Sequence, residues 1–394
     1  MPAFDELDAE DERVLVRVDV NAPIDPASGR LLDDERIREH LGTLRRLSDA
    51  AVVLISHQSR PGKNDFTTLE QHARRLDRLL DRPVRYVDDV FGPAARDAIR
   101  DVAPGEVLVL ENVRFYSEEY IEMPAEEAAD THLVERLAPL FDAYVDDAFS
   151  AAHRSQPSLV GFPERLPSYP GPLMERELDV LEDVGDGPSP VVFALGGAKV
   201  EDAVAVIANA VEHDVADTIL LSGVVGNVFL EARGDDVGGA THEYVREQGY
   251  GDVVERAETL LDAYPDVFEL PSDVAVAIDG ERQEAGVEEF PVDALASDIG
   301  VETIARYEAV LEDAGTAVVN GPPGIYEEAL FQLGTREVFS AATRAEFSVS
   351  CGGDTAAAVD ALDVRGFDHV SIGGGASTTL LSGDTLPAVE ALRE

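Results

Sequence analysis

The chain has 394 residues, 45% of them hydrophobic, and carries 79 acidic against 31 basic side chains, a net charge of −48. That length predicts two or three domains with a sizeable core, and a field of that sign excludes nucleic acid and anionic lipid as partners. A single cysteine, Cys351, excludes a disulfide framework and a cysteine-rich zinc site. The first residues, "MPAFDELDAEDER", are acidic and lack an apolar signal-peptide core. No apolar run approaches the ~18 residues of a membrane span, so the expectation is a soluble, cytoplasmic protein without a membrane partner. Of the basic residues only Lys63 and Lys199 are lysines. Acid surplus with lysine depletion points to a cytoplasm of molar salt, where the Debye length is about 3 Å and self-repulsion is screened.

Along the chain, short apolar runs end in small or polar clusters and are followed by helical periodicity. They lie at 14–21, 51–57, 106–114 and 144–149, then at 190–199, 218–223, 317–324, 347–355 and 369–378. Near-continuous Val/Ile/Leu strands alternating with helices predict parallel sheets covered on both faces. The fold class is α/β, with two doubly wound, Rossmann-like domains. "GFPERLPSYPGP" is rich in Pro and Gly, and "LMERELDVLEDV" (173–184) reads as an amphipathic helix with Leu173, Leu178 and Leu181 on one side. The expected divisions are an N-terminal domain over 1–170, a connecting helix and hinge over 171–187, and a C-terminal domain over 188–378.

In parallel α/β sheets ligands bind at the carboxyl ends of strands. In the first half those ends supply Asp19, Asn21, His57, Arg60, Arg114, His153 and Arg154, with Arg36 following the first strand. Arginine's planar fork matches carboxylate and phosphate. One such arginine is better explained by pairing with one of the many acids; five basic loops at strand ends point to a small, multiply anionic substrate. The second half supplies glycines in "GGAK", "NGPPG", "CGGDT" and "GGGAS". Glycine lets backbone N–H groups approach phosphate, and a helix N-terminus adds partial positive charge. In "CGGDT", Asp354 and Thr355 are suited to cap the following helix and to hold Mg²⁺. There is no GxxxxGK[ST], no GxGxxG after a strand, and His242-Glu243 does not open an HExxH. His40, His72, His132 and His213 read as surface or packing positions, and Lys63 as an ordinary loop lysine. A polyanion in one half and a nucleotide in the other predict hinge closure before reaction.

These motifs together resemble the phosphoglycerate kinase family. "RVDVNAP" (17–23), "DDERI" (33–37), "SHQSRP" (56–61), "LENVRF" (110–115) and "DDAFSAAHR" (146–154) are similar to family motifs in the same order. "GPLMERELDVL" resembles its inter-domain helix, and "LGGAKVED", "NGPPGIYE" (320–327), "GGDT" (352–355) and "SIGGGAS" (371–377) follow. The resemblance implies reversible phosphoryl transfer from ATP to 3-phosphoglycerate, giving 1,3-bisphosphoglycerate and ADP with Mg²⁺, in a monomer. It implies a 3-phosphoglycerate site of Asp19, Asn21, Arg36, His57, Arg60, Arg114 and Arg154. It implies a nucleotide site of Lys199, Asn320, Glu327 (at the ribose), Gly352, Gly353, Asp354 and Thr355, with Asp354 as the Mg²⁺ ligand and Arg36 and Lys199 catalytic. It also implies a segment, 379–394, that returns to the first domain. Three departures stand out: Ala203 where bacterial and eukaryotic members usually carry a second lysine, "CGGDT" for GGGDT, and "SHQSRP" for SHLGRP. Another acyl-phosphate kinase on the same scaffold, or an inactive nucleotide-binding regulator, are the alternatives; the presence of Arg36, Lys199 and Asp354 weighs against the regulator.

Overall fold

A computed structural model of the chain describes residues 1–289 and 293–393. It divides into two compact units, Met1–Asp179 with Thr385–Glu394, and Val180–Asp384. In the first unit six parallel strands lie in the spatial order Val84–Tyr86, Val107–Val109, Ala51–Ile55, Arg13–Arg17, Ala143–Asp146, Ser168–Pro170. Alternate residues of each strand face opposite ways. Val14, Val16, Val52, Leu54, Val107 and Val109 therefore enter one core, and Leu15, Val53, Ile55, Leu108 and Tyr144 enter the other. Burial on both faces is what makes these strands read as continuous apolar runs. The Arg13–Arg17 strand has its sequence successor, Ala51–Ile55, on one side and the later Ala143–Asp146 on the other. The direction of winding reverses there, and that is where a ligand crevice opens.

The second unit places Phe268–Glu269, Thr218–Leu221, Val191–Leu195, Thr316–Asn320, Phe347–Cys351 and His369–Val370 in one parallel sheet, in that order. Numbered along this unit the order is 3-2-1-4-5-6, and the reversal lies between Val191–Leu195 and Thr316–Asn320. Beside it is an antiparallel sheet of Asp273–Ile278, Glu281–Gly286 and Asp298–Ile299, which the apolar-run reading leaves out.

The amphipathic helix is Pro172–Glu182, with Leu173, Leu178 and Leu181 buried. The division between the units falls inside it, after Asp179. The final return differs from the expected 379. Gly375–Leu381 is a helix of the second unit, tied to it where Asn209 Nδ2 donates to the Leu381 carbonyl at 2.9 Å. The first unit resumes at Thr385; the Pro387–Arg393 helix buries Ala388, Val389 and Leu392, and the Ala388 N–H donates to the Ala152 carbonyl at 3.1 Å. His132 and His213 are exposed, whereas His40 and His72 are buried.

Candidate active site

At the reversal in the first unit, Asp19 follows directly on the Arg13–Arg17 strand and is buried. Its carboxylate accepts from the Arg36 guanidinium, the Ser150 hydroxyl and the Asn21 N–H. Burial alone would raise its pKa. The His57 ring, Arg36 and these hydrogen bonds outweigh that and hold Asp19 well below the usual carboxylate range. The Asp19 backbone is fixed as well: its N–H donates to His40 Nε2 at 3.0 Å, and His40 Nδ1 donates to Asp147 at 2.7 Å. His40, read from the sequence as incidental, is thus a strut under the site. Asn21 accepts the Ser59 N–H at 2.9 Å, and Arg114 Nη1 donates to the Ser59 carbonyl at 2.7 Å. The loop after Ala51–Ile55, which presents His57 and Arg60, is thereby held from two strands.

Burial lowers the pKa of Arg114 to about 10, with Arg154 and Arg17 adding to the shift. Burial likewise lowers Arg154, and among the charges near it Arg17 and Arg60 act in the same sense. Burial drives His57 well below its ordinary value, and the neighbouring Arg17, Arg114 and Arg154 do the same, so its imidazole is neutral at pH 7. These guanidiniums lie near one another, and Glu119 at Arg114 and Asp19 at Arg154 act in the opposite sense. The six side chains Asp19, Asn21, Arg36, His57, Arg114 and Arg154 are half-buried or buried after neighbouring strands of the sheet, and Arg60 is exposed. Arg17 itself is fully buried and joins the cluster. It begins the "RVDVN" motif, yet nothing in that string separates a buried cation from an exposed one.

In the second unit a cavity of ≈ 360 Å³ opens at the other reversal, within the usual range for a small-ligand pocket. Lys199, Asn320, Glu327 and Gly352 to Thr355 all line it. The helices Val200–Glu212, Gly223–Arg233 and Gly353–Ala361 begin at its wall, so three sets of free N–H groups and three positive dipole ends meet there. The loops are laced to one another: Gly196 N–H donates to the Asn320 carbonyl and Gly197 N–H to the Pro322 carbonyl, both at 2.9 Å. Gly321 has φ +83°, and a Cβ on it would stand 2.2 Å from the Gly196 carbonyl oxygen, so only glycine allows this approach.

Lys199 Nζ and Asp354 Oδ2 are 2.9 Å apart, both largely exposed to the cavity mouth. Thr355 does not cap its helix. It is buried, and its hydroxyl accepts the Gly321 N–H at 2.8 Å, because the chain turns into that helix at Gly352, whose φ is +93°. Among the described residues no group of three or more acidic, histidine or cysteine side chains could hold a metal by itself. Asp354 offers one accessible carboxylate, which fits Mg²⁺ taken up together with substrate phosphates rather than in an all-protein cage.

The phosphoglycerate kinase profile matches residues 4–384. The chain is 54% identical to the phosphoglycerate kinase of Halobacterium salinarum, with 99% of each chain covered, and 50% identical to that of Natronomonas pharaonis, again over 99% of each. Its fold superposes on the crystal structure of phosphoglycerate kinase from Pyrococcus horikoshii with a TM-score of 0.92 at 39% identity, covering 100% of this chain and 98% of the other.

The chain belongs to the phosphoglycerate kinase family. That membership makes it a phosphotransferase with a carboxyl group as acceptor. Among the described residues no helix is long and apolar enough to cross a membrane. Cavity-lining residues that the motif reading missed are Gly223, Asn227, Tyr244 and the stretch from Leu295 to Ser297. "TILLSG" gave a signal for Gly223, since it ends an apolar run in glycine. Leu295 to Ser297 had none: they reach the cavity because Ser297 accepts the Ile325 N–H at 2.9 Å.

Proposed function

We propose that the protein moves the terminal phosphoryl group of ATP to the carboxylate of 3-phosphoglycerate, and back from 1,3-bisphosphoglycerate to ADP, in glycolysis and gluconeogenesis. The observation that carries this reading is the proximity of Arg17, Arg60, Arg114 and Arg154 to one another after neighbouring strands, in a chain of net charge −48. Such mutual repulsion persists in a fold when a polyanion relieves it. The nucleotide occupies the glycine-walled cavity, its phosphates over the helix N-termini and Lys199, and its ribose toward Glu327. Mg²⁺, when bound with the phosphates, neutralises their charge, and Asp354 is the side chain that would hold it. The attacking oxygen belongs to a carboxylate already ionised at neutral pH, so no general base is needed. What remains is positioning and charge neutralisation. Asp19 holds Arg36 for this task in the first unit, and Lys199 serves it in the second. The two substrates must come within bonding distance, so we infer domain closure during turnover, in a cytoplasmic, salt-adapted monomer.

A coupled assay with 3-phosphoglycerate and Mg-ATP, at low and high KCl, is the test. Turnover that requires both substrates and Mg²⁺ is expected; no turnover at either salt would sink the reading. Arg36→Ala should lower kcat by about 10²–10³-fold, the loss typical of one charge-stabilising donor in a transition state, while circular dichroism stays unchanged. A near-normal kcat would remove Arg36 from the mechanism.

A further inference from the structure

One member of the guanidinium cluster, Arg17, is tied to buried polar groups that face no solvent. Arg17, Glu119 and Ser158 are all fully buried. The Ser158 hydroxyl accepts Arg17 Nε–H at 3.0 Å and donates to Glu119 Oε1, while the Ser158 backbone N–H donates to Glu119 Oε2 at 3.1 Å. The remaining arms of Arg17 are equally committed. Nη1 donates to the Val18 carbonyl, and Nη2 lies 3.1 Å from His57 Nδ1.

A guanidinium carries donors only and stays protonated. His57 Nδ1 must therefore accept from it, which places the imidazole proton on Nε2. Among the described residues both side-chain contacts of His57 are made at Nδ1, which leaves Nε2 free to meet a ligand. Asp19 pulls the other way: its Oδ1 stands 3.8 Å from the same Nδ1 and would favour a proton there. The choice between the two tautomers decides the sign of the contact with substrate. With the proton on Nε2 the ring offers a donor to an anionic oxygen. With the proton on Nδ1 it offers a lone pair, which repels one.

We infer that Glu119, acting through Ser158, is a positioning residue for the phosphoglycerate site: it holds the Arg17 fork against His57 Nδ1, so that His57 presents a fixed Nε2–H to the bound anion. This inference rests on the proposed function for the identity of that anion. The tautomer itself is independent of it. Glu119 shares the compensation of the buried Arg17 guanidinium with Asp146, which neighbours Arg17 in the sheet register. Ser158 is needed because it grips both partners and leaves the fork one orientation.

The test is Ser158→Ala in the full-length protein, with Glu119→Gln as a second variant should the first fail to fold. The His57 tautomer is read by ¹⁵N NMR of the ligand-free protein, and KM for 3-phosphoglycerate and for Mg-ATP are measured separately. We expect wild-type His57 to be the Nε2–H tautomer and the variant ring to shift toward Nδ1–H. KM for 3-phosphoglycerate should rise about tenfold, the loss of one hydrogen bond to a charged group, with KM for Mg-ATP unchanged. A variant in which His57 keeps the Nε2–H tautomer, or in which KM for 3-phosphoglycerate holds its wild-type value, overturns the inference even if its melting temperature falls. A wild-type protein that shows the Nε2–H tautomer but does not turn over 3-phosphoglycerate would instead overturn the proposed substrate.

Discussion

Ala203 brings no charge to the cavity wall. It lies one turn beyond Lys199, whose carbonyl accepts its N–H at 3.1 Å, and it lines the cavity wall. No arginine lines that cavity, so no relocated guanidinium fills the role of the family's second lysine; Asp202, Glu327 and Asp354 leave Lys199 as the one cation among the lining residues. A side chain here leans back toward the helix N-terminus. Ala203→Lys should therefore raise kcat/KM for Mg-ATP by up to about tenfold, the scale of one charged hydrogen bond, and should flatten its dependence on KCl. Steady-state kinetics across a KCl series that match wild type in both respects would refute the missing-charge reading. A second residue-scale expectation concerns "SHQSRP". Gln58 is fully buried, donates to the Ala22 and Asp65 carbonyls, and accepts His72 Nε2–H at 3.0 Å. Burial lowers the His72 pKa to about 4. Between that value and the unfolded ~6.5 the unfolded chain binds more protons than the native one. The contribution of His72 to stability is therefore complete above pH ~6.5 and is lost as pH falls toward 4. An NMR titration of His72 with a midpoint near 6.5 would contradict this.

At the scale of elements, the parallel strands were legible because burial on both faces wrote uninterrupted Val/Ile/Leu runs into them. Their ends were legible too, since Asp19, His57, Lys199 and Asp354 each close such a run. The two- and three-residue strands Val84–Tyr86 and Phe268–Glu269 were not, being too short for any period. The antiparallel hairpin did carry a signal that went unused: Asp279-Gly280, both at positive φ, is the turn dipeptide between alternating strands. Arg17, Glu119 and Ser158 were out of reach, because two buried charges bridged by a serine look in sequence like any other charged residues. The element on which the cavity of the second unit most depends is the loop that opens at Gly321. Gly321→Ala brings Cβ against the Gly196 carbonyl and puts alanine at φ +83°. It should destabilise the second unit by about 1–3 kcal/mol and weaken nucleotide binding, while the first unit still binds 3-phosphoglycerate. Calorimetric titrations with each ligand separately check this; unaltered nucleotide affinity would count against the lacing of the two loops.

For the whole molecule, a net charge of −48 opposes compaction wherever it is not screened. Melting temperature should rise from 0.1 M to 3 M KCl, and equal values in the two salts would mean that the acidic surface is no salt adaptation. The two units also differ in how the polypeptide supplies them. Leu392 belongs to the core of the first unit, beside Leu15 and Tyr144, whereas every residue of the second lies between Val180 and Asp384. During synthesis the N-terminal sheet therefore emerges from the ribosome first yet lacks a piece of its interior while the second unit is made. At 5–20 residues per second that interval lasts roughly 10–40 s for about 200 residues. Order of translation and order of completion are thus opposed: the later-made second unit can finish folding on its own, and the first unit closes its core only after Leu392 has left the tunnel.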